Sequence, residues 1–163
     1  MRVALPSTVT AIEMDAFQSC VSLTDINFPS NLELIEMDAF RSCGSLATVN
    51  LPPSLQKVGV ACFADCSALS SVTLPQQPLF LTIERGCFKN CVSLKAIVLP
   101  ECVEELEDEC FLNCVQLREV RCPPRLTKPL GKRAFQGCTA LSTAVLPAVL
   151  TAIGAGAFRG CSM

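Results

Sequence analysis

Twelve cysteines stand in a chain of 163 residues that contains no histidine. Four converging thiolates can hold zinc, and Cys87-x-x-x-Cys91, Cys110-x-x-x-Cys114 and the earlier Cys62 and Cys66 are the groups that could converge. No Cys-x-x-Cys pair occurs, so the spacing assigns no metal ligands. Without an imidazole, Ser-His-Asp and Cys-His nucleophiles are excluded. Gly154-x-Gly156-x-x-x-Gly160 misses the dinucleotide fingerprint, because Arg159 falls where the third glycine belongs. The acidic run lacks the loop pattern of a calcium site. These residues point to a chain with no catalytic residues, no metal and no cofactor.

Charge is unevenly placed. Glu101, Glu104, Glu105, Glu107, Asp108 and Glu109 crowd one stretch, and Arg118, Arg121, Arg125, Lys128, Lys132 and Arg133 crowd the next. Such runs read first as a solvated outer wall laced with salt bridges, and second as a polar docking patch. The net charge of -2 supplies no basic field for nucleic acid. Residues 134–158 carry no charge and are long enough to cross a bilayer. They contain Pro147, Gly154 and Gly156 and follow the template of charged segments elsewhere, so no membrane insertion is expected. Residues 1–6 lack a basic segment and apolar run of the secretory kind. The many thiols without evident partners lean towards a reducing, intracellular setting.

What must position these residues is a repeat. Phe17, Phe40, Phe63, Phe88, Phe111, Phe135 and Phe158 recur along the chain, each followed three residues later by a cysteine, from Cys20 to Cys161. Further steps of three bring Leu23, Leu46, Leu69, Leu94, Leu117 and Leu141. Next come Ile26, Val49, Val72, Ile97, Val120 and Ala144, then a proline from Pro29 to Pro147. Length varies only between that proline and the next apolar anchor. The Pro75 unit carries two extra residues around Gln76-Gln77-Pro78, and the Pro123 unit one, which the repeat should loop out while staying in register. Cys62, Cys87 and Cys110 replace Ala16, Ala39, Ala134 and Ala157 of sibling units, so that position asks for a small side chain and packing explains the thiols.

A short strand is expected at Leu-x-x-Ile-x-Leu, as in Leu23-Thr-Asp-Ile26-Asn-Phe28, with Ile26 and Phe28 inward and the residues between them outward. The proline that follows closes it. The stretch from Ile153 to Cys161 and its siblings predicts a short helix or 3₁₀ turn on the opposite wall. One coil cannot bury its own apolar face; stacked coils can, each buried Phe, Leu or Ile adding roughly 1.5–3 kcal/mol before entropy. With parallel strands about 4.8 Å apart, seven coils make a block roughly 30 Å long.

The unit Ile-Gly-x-x-Ala-Phe-x-x-Cys-x-x-Leu-x-x-Val-x-Leu-Pro resembles the BspA-type leucine-rich repeat. Ile153 to Cys161 matches it residue by residue, and Leu141 to Pro147 matches except at Ala144. The resemblance spans residues 1–163 as a single domain of about seven coils with partial first and last units. It implies an α/β right-handed leucine-rich-repeat solenoid, one parallel strand per coil, and protein binding or adhesion; it also allows a cell-surface location.

The outward strand positions are where such a solenoid is expected to bind an unidentified protein partner: Asp25, Asn27, Thr48, Asn50, Ser71, Thr73, Lys95, Val98, Arg118, Glu119 and Arg121. No aromatic stands among them, so polar contacts and modest affinity are expected. The chain ends on repeat-like residues, which suggests a piece of a larger array, or end-to-end self-association through the C-terminal coil. A structural spacer or self-associating scaffold without a specific ligand is the alternative to an interaction module.

Overall fold

The phenylalanines stack because the chain returns to the same place every turn. A computed structural model describes residues 1–76 and 81–162, so Gln77 and Pro78 of the longest insertion lie outside the described residues. The strands are β1 (Arg2–Ala4), β2 (Ala11–Ile12), β3 (Asp25–Asn27), β4 (Leu34–Ile35), β5 (Thr48–Asn50), β6 (Lys57–Val58), β7 (Ser71–Thr73), β8 (Thr82–Ile83), β9 (Ala96–Val98), β10 (Glu119–Arg121) and β11 (Thr143–Val145). All pairings are parallel, and like residues meet: Val49 with Val72, Ile97 with Val120, and Ile12, Ile35, Val58 and Ile83 in sequence. The fold is a parallel solenoid with one three-residue strand per coil.

The two-residue strands form a second parallel sheet, β2-β4-β6-β8, on another wall. Strand formation stops there at the acidic coil around Leu106, and pairing resumes only at a bridge between Leu130 and Ile153.

Between the two sheets lies the apolar interior. Consecutive phenylalanines from Phe17 to Phe158 stack with ring centroids 5.0–5.8 Å apart and planes within 10°. Parallel rings at that separation are offset, the arrangement their quadrupoles favour. The widest step, 5.8 Å from Phe63 to Phe88, spans the longest coil. Cys62, Cys87 and Cys110 are fully buried beside these rings, in the small-residue position.

The short helical or 3₁₀ turns expected on the phenylalanine wall are replaced by a ribbon of hydrogen-bonded turns; no helix occurs among the described residues. The reason is how the backbone donors are shared. Ala64 donates to the Ala61 carbonyl (2.9 Å) and Cys66 to that of Phe63 (3.3 Å), closing turns within the coil. Phe63 and Asp65 donate instead to Cys87 (2.9 Å) and Lys89 (2.8 Å) of the next coil. Every second N–H thus leaves the coil, whereas a helix keeps them all. Residues two before and two after each of the seven stacked phenylalanines take positive φ, as at Ala61 (50°) and Asp65 (62°), which a right-handed helix forbids. The later of these sites is filled by Ser19, Ser42, Asp65, Asn90, Asn113, Gly137 and Gly160, enriched in types that tolerate that conformation.

Candidate protein-interaction face

The wall of three-residue strands is built by alternation. In Asp25–Asn27, Thr48–Asn50, Ser71–Thr73, Ala96–Val98 and Glu119–Arg121 the middle residue is buried and its neighbours are exposed. All eleven outward residues singled out from the sequence lie exposed on this wall: Asp25, Asn27, Thr48, Asn50, Ser71, Thr73, Lys95, Val98, Arg118, Glu119 and Arg121. Lys95 and Arg118 stand one residue before β9 and β10.

The structure does not join them all into one sheet. Hydrogen bonding runs β5-β7-β9-β10-β11, while β1-β3 is separate, so β3 lies next to β5 without strand pairing to it. At the break, Phe28 occupies the position held in sibling coils by Leu51, Leu74 and Leu99, and its ring meets Phe40 edge-on at 5.8 Å. A second weakness follows the insertion. β7 and β9 register only at Ser71 with Ala96, against three pairs between β5 and β7. A cleft of about 450 Å³ opens there, lined by Val72, Leu74, Ile97 and Val98 among others. Gln76 closes one end, donating from Nε2 to the Leu74 carbonyl at 2.8 Å. The sequence marks Gln76 only as part of the insertion after Pro75, with nothing to place it beside this face.

Ion pairs link neighbouring coils on both sides of the molecule. On the turn wall Arg41 reaches Asp65 (3.3 Å) and Glu109 accepts from both Lys89 (2.8 Å) and Arg133 (3.3 Å), while Lys57 of β6 reaches Glu36 and Glu84 (3.2 and 3.5 Å). The Glu36 hydrogen bond raises the Lys57 pKa, and the Lys89 hydrogen bond lowers that of Glu109. The strand face holds two ion pairs, Arg2 with Asp25 (3.8 Å) and Arg121 with Glu119 (2.7 Å), while Lys95 and Arg118 pair with no carboxylate among the described residues. Between the sheet edge at β8 and the acidic coil, a second pocket of about 280 Å³ is lined by Cys102, Glu104, Glu105, Arg125 and Lys128. No cluster of three or more metal-binding side chains, and no helix long and apolar enough to cross a membrane, occurs among the described residues.

The sequence of the repeat is matched by a family model described as BspA type leucine rich repeat region (6 copies) over residues 1–82 and 81–163. The chain belongs to the BspA-type leucine-rich-repeat family. A leucine-rich-repeat protein of T. pallidum superimposes with a TM-score of 0.88 at 30% identity, covering 98% of this chain and 75% of its own. One from Eubacterium ventriosum gives 0.88 at 27% identity, covering 99% of this chain and 43% of its own. A leucine rich cell surface protein of Faecalibacterium prausnitzii gives 0.50 at 24% identity, covering 98% and 58%. No match was found among curated proteins. BspA-type repeats are generally scaffolds for protein interaction or adhesion, typically without enzymatic activity.

Proposed function

We propose that this BspA-type repeat chain is a non-catalytic interaction or adhesion module that binds a protein partner through its three-residue-strand face. The observation that carries the reading is the division of labour in the strands: the middle residue serves the core and its exposed neighbours serve none of the chain's own packing. A rigid row of such positions is what a binding face needs at low entropic cost.

Panning a random peptide library on the 163-residue chain tests this. Recovered binders should be lost on an Asn50→Arg, Thr73→Arg variant and retained on a Thr10→Arg, Thr127→Arg variant of the opposite wall. Equal loss on both, or loss only on the second, overturns the reading.

A self-associating scaffold is the second reading, and one observation favours it. At the stacked phenylalanines and the residues two before and two after them, every inter-coil backbone–backbone hydrogen bond donated runs from a coil to the one after it, as from Phe17 to Ala39 and from Phe135 to Ala157. The N–H groups of Phe158 and Gly160 would serve a further coil in the same way, and a second copy could supply it. Light scattering against concentration, with Phe158→Asp as the disrupting variant, tests it; a monomer at every concentration dismisses it.

A further inference from the structure

This inference rests on the strand face being the interaction surface, and it names the chemistry of what binds there. Two observations meet at β9. The first is the cleft over β7 and β9, whose register keeps only Ser71 with Ala96. Its rim carries Val98, 66% exposed, an aliphatic side chain that gains little cover from its own chain.

The second is a pair of unneutralised cations at the end where β9 begins. Arg118 donates its backbone N–H to the Lys95 carbonyl at 3.2 Å, so the two residues sit one above the other in adjacent coils. Both are exposed. Neither reaches a carboxylate among the described residues, which is true also of Arg85, Arg125, Lys132 and Arg159; Lys95 and Arg118 differ in standing in register with each other next to the cleft. Stacked like charges repel, and a carboxylate from outside would turn that repulsion into attraction. Such pairs govern partner choice and association rate more than affinity, so the apolar cleft beside them is needed to hold what they attract.

An extended chain satisfies both. Its side chains two apart lie on the same side and about 7 Å along, so a carboxylate at the cations leaves the next same-side residue over the cleft. We propose that Lys95 and Arg118, with the β7–β9 cleft, bind an extended acidic segment of a partner protein. The cations hold its carboxylate, and an aliphatic side chain two residues away packs on Val98 and Ile97.

Fluorescence anisotropy on the full chain tests this with a labelled peptide carrying glutamate and leucine two residues apart in a Gly/Ser background. Controls carry lysine for the glutamate or serine for the leucine. The glutamate–leucine peptide should bind at least about tenfold more tightly than either control, and weaken as salt rises. Lys95→Glu with Arg118→Glu should cost about tenfold or more for it and invert the preference between glutamate and lysine peptides. Val98→Ser should weaken the leucine peptide and leave the serine peptide unchanged, a readout that misfolding would not reproduce. Equal binding of the three peptides, or indifference to the charge reversal, overturns the proposal. If library binders still depend on Asn50 and Thr73 while these peptides fail, the strand face stands and the acidic segment falls. A dimer of the chain abolished by Lys95→Glu would make a second copy the occupant, which also overturns it.

Discussion

Cys91 donates its thiol hydrogen to the carbonyl of Phe63, 3.1 Å away and one coil back. The same bond recurs from Cys43, Cys66, Cys114, Cys138 and Cys161 to the preceding coil's phenylalanine at 3.1–3.2 Å. Each of those carbonyls also accepts the N–H of the cysteine in its own coil, as Phe63 does from Cys66 at 3.3 Å. The thiol is small enough for the interior and supplies the second donor, which alanine cannot. Cys91→Ala therefore removes both volume and a hydrogen bond at a fully buried site. It should lower stability by about 1–2 kcal/mol, read from the midpoint of chemical denaturation. An unchanged midpoint would show that the thiol contributes nothing.

Burial has a second consequence for these thiols. It pushes the pKa values of Cys66, Cys110 and Cys138 from 9.0 up to about 12, and those of Cys62, Cys87, Cys91 and Cys114 well above 9.0. The folded values are raised, so the unfolded chain releases these protons first. Stability is therefore fully present below pH 9 and falls as pH climbs towards 12. Each such thiol costs about 1.4 kcal/mol per pH unit across that window. Denaturation midpoints should be level from pH 7 to 8 and drop steeply above 9. A Cys66→Ala, Cys110→Ala variant, though weaker at neutral pH, should show a shallower alkaline slope. An identical slope would sink the thiol explanation.

Close approach of coils sets a different limit at Gly59 and Gly131, which follow the anchors Val58 and Leu130. A Cβ added at Gly131 would overlap the Glu107 carbonyl, and at Gly59 one would lie 2.6 Å from the carbonyl carbon of Glu36. At Gly44 the nearest atom to such a Cβ is Ser67 Oγ, 3.6 Å away. Gly131→Ala should thus destabilise by about 1–3 kcal/mol through backbone displacement. Gly44→Ala should be neutral or stabilise by up to about 1 kcal/mol by restricting the unfolded chain. Thermal melts of the two variants separate these outcomes, and equal melting temperatures would refute the packing argument.

The period-three array from phenylalanine to proline carried the architecture, because every one of those side chains faces inward and must meet its copy in the next coil. It also placed the outward strand residues, since Asp25 and Asn27 flank a buried Ile26 by simple alternation. The phenylalanine wall was misread as helical because Phe17 and Cys20, or Ile12 and Ala16, have helical spacing. The contrary signal was the small or polar residue two places after each phenylalanine, whose left-handed conformation redirects alternate N–H groups to the neighbouring coil. The two breaks in the strand wall were less legible. One accompanies a single enlarged side chain, Phe28, and the other follows an insertion expected to leave the register intact, whereas β7 and β9 keep only one paired position.

Those left-handed sites form their own ladder in the middle coils. Asn90 (φ 58°) donates from Nδ2 to Asp65 Oδ1 at 2.7 Å and accepts from Asn113 Nδ2 at 3.0 Å. The ladder stops at the next coil, where a side chain on Gly137 would strike the Asn113 amide. Asn90→Ala loses both bonds and places an alanine where L residues are strained, so a loss of about 2–3 kcal/mol is expected. Asn90→Gly loses the bonds alone and should cost about 1 kcal/mol less. Asn90→Asp sets a second carboxylate against Asp65, so at neutral pH its deficit should shrink as added salt screens the repulsion. Denaturant midpoints for the three variants at low and high salt decide the matter. Equal losses for alanine and glycine would remove backbone strain from the account, and a salt-independent aspartate variant would show that the amide of Asn90 does not face the Asp65 carboxylate.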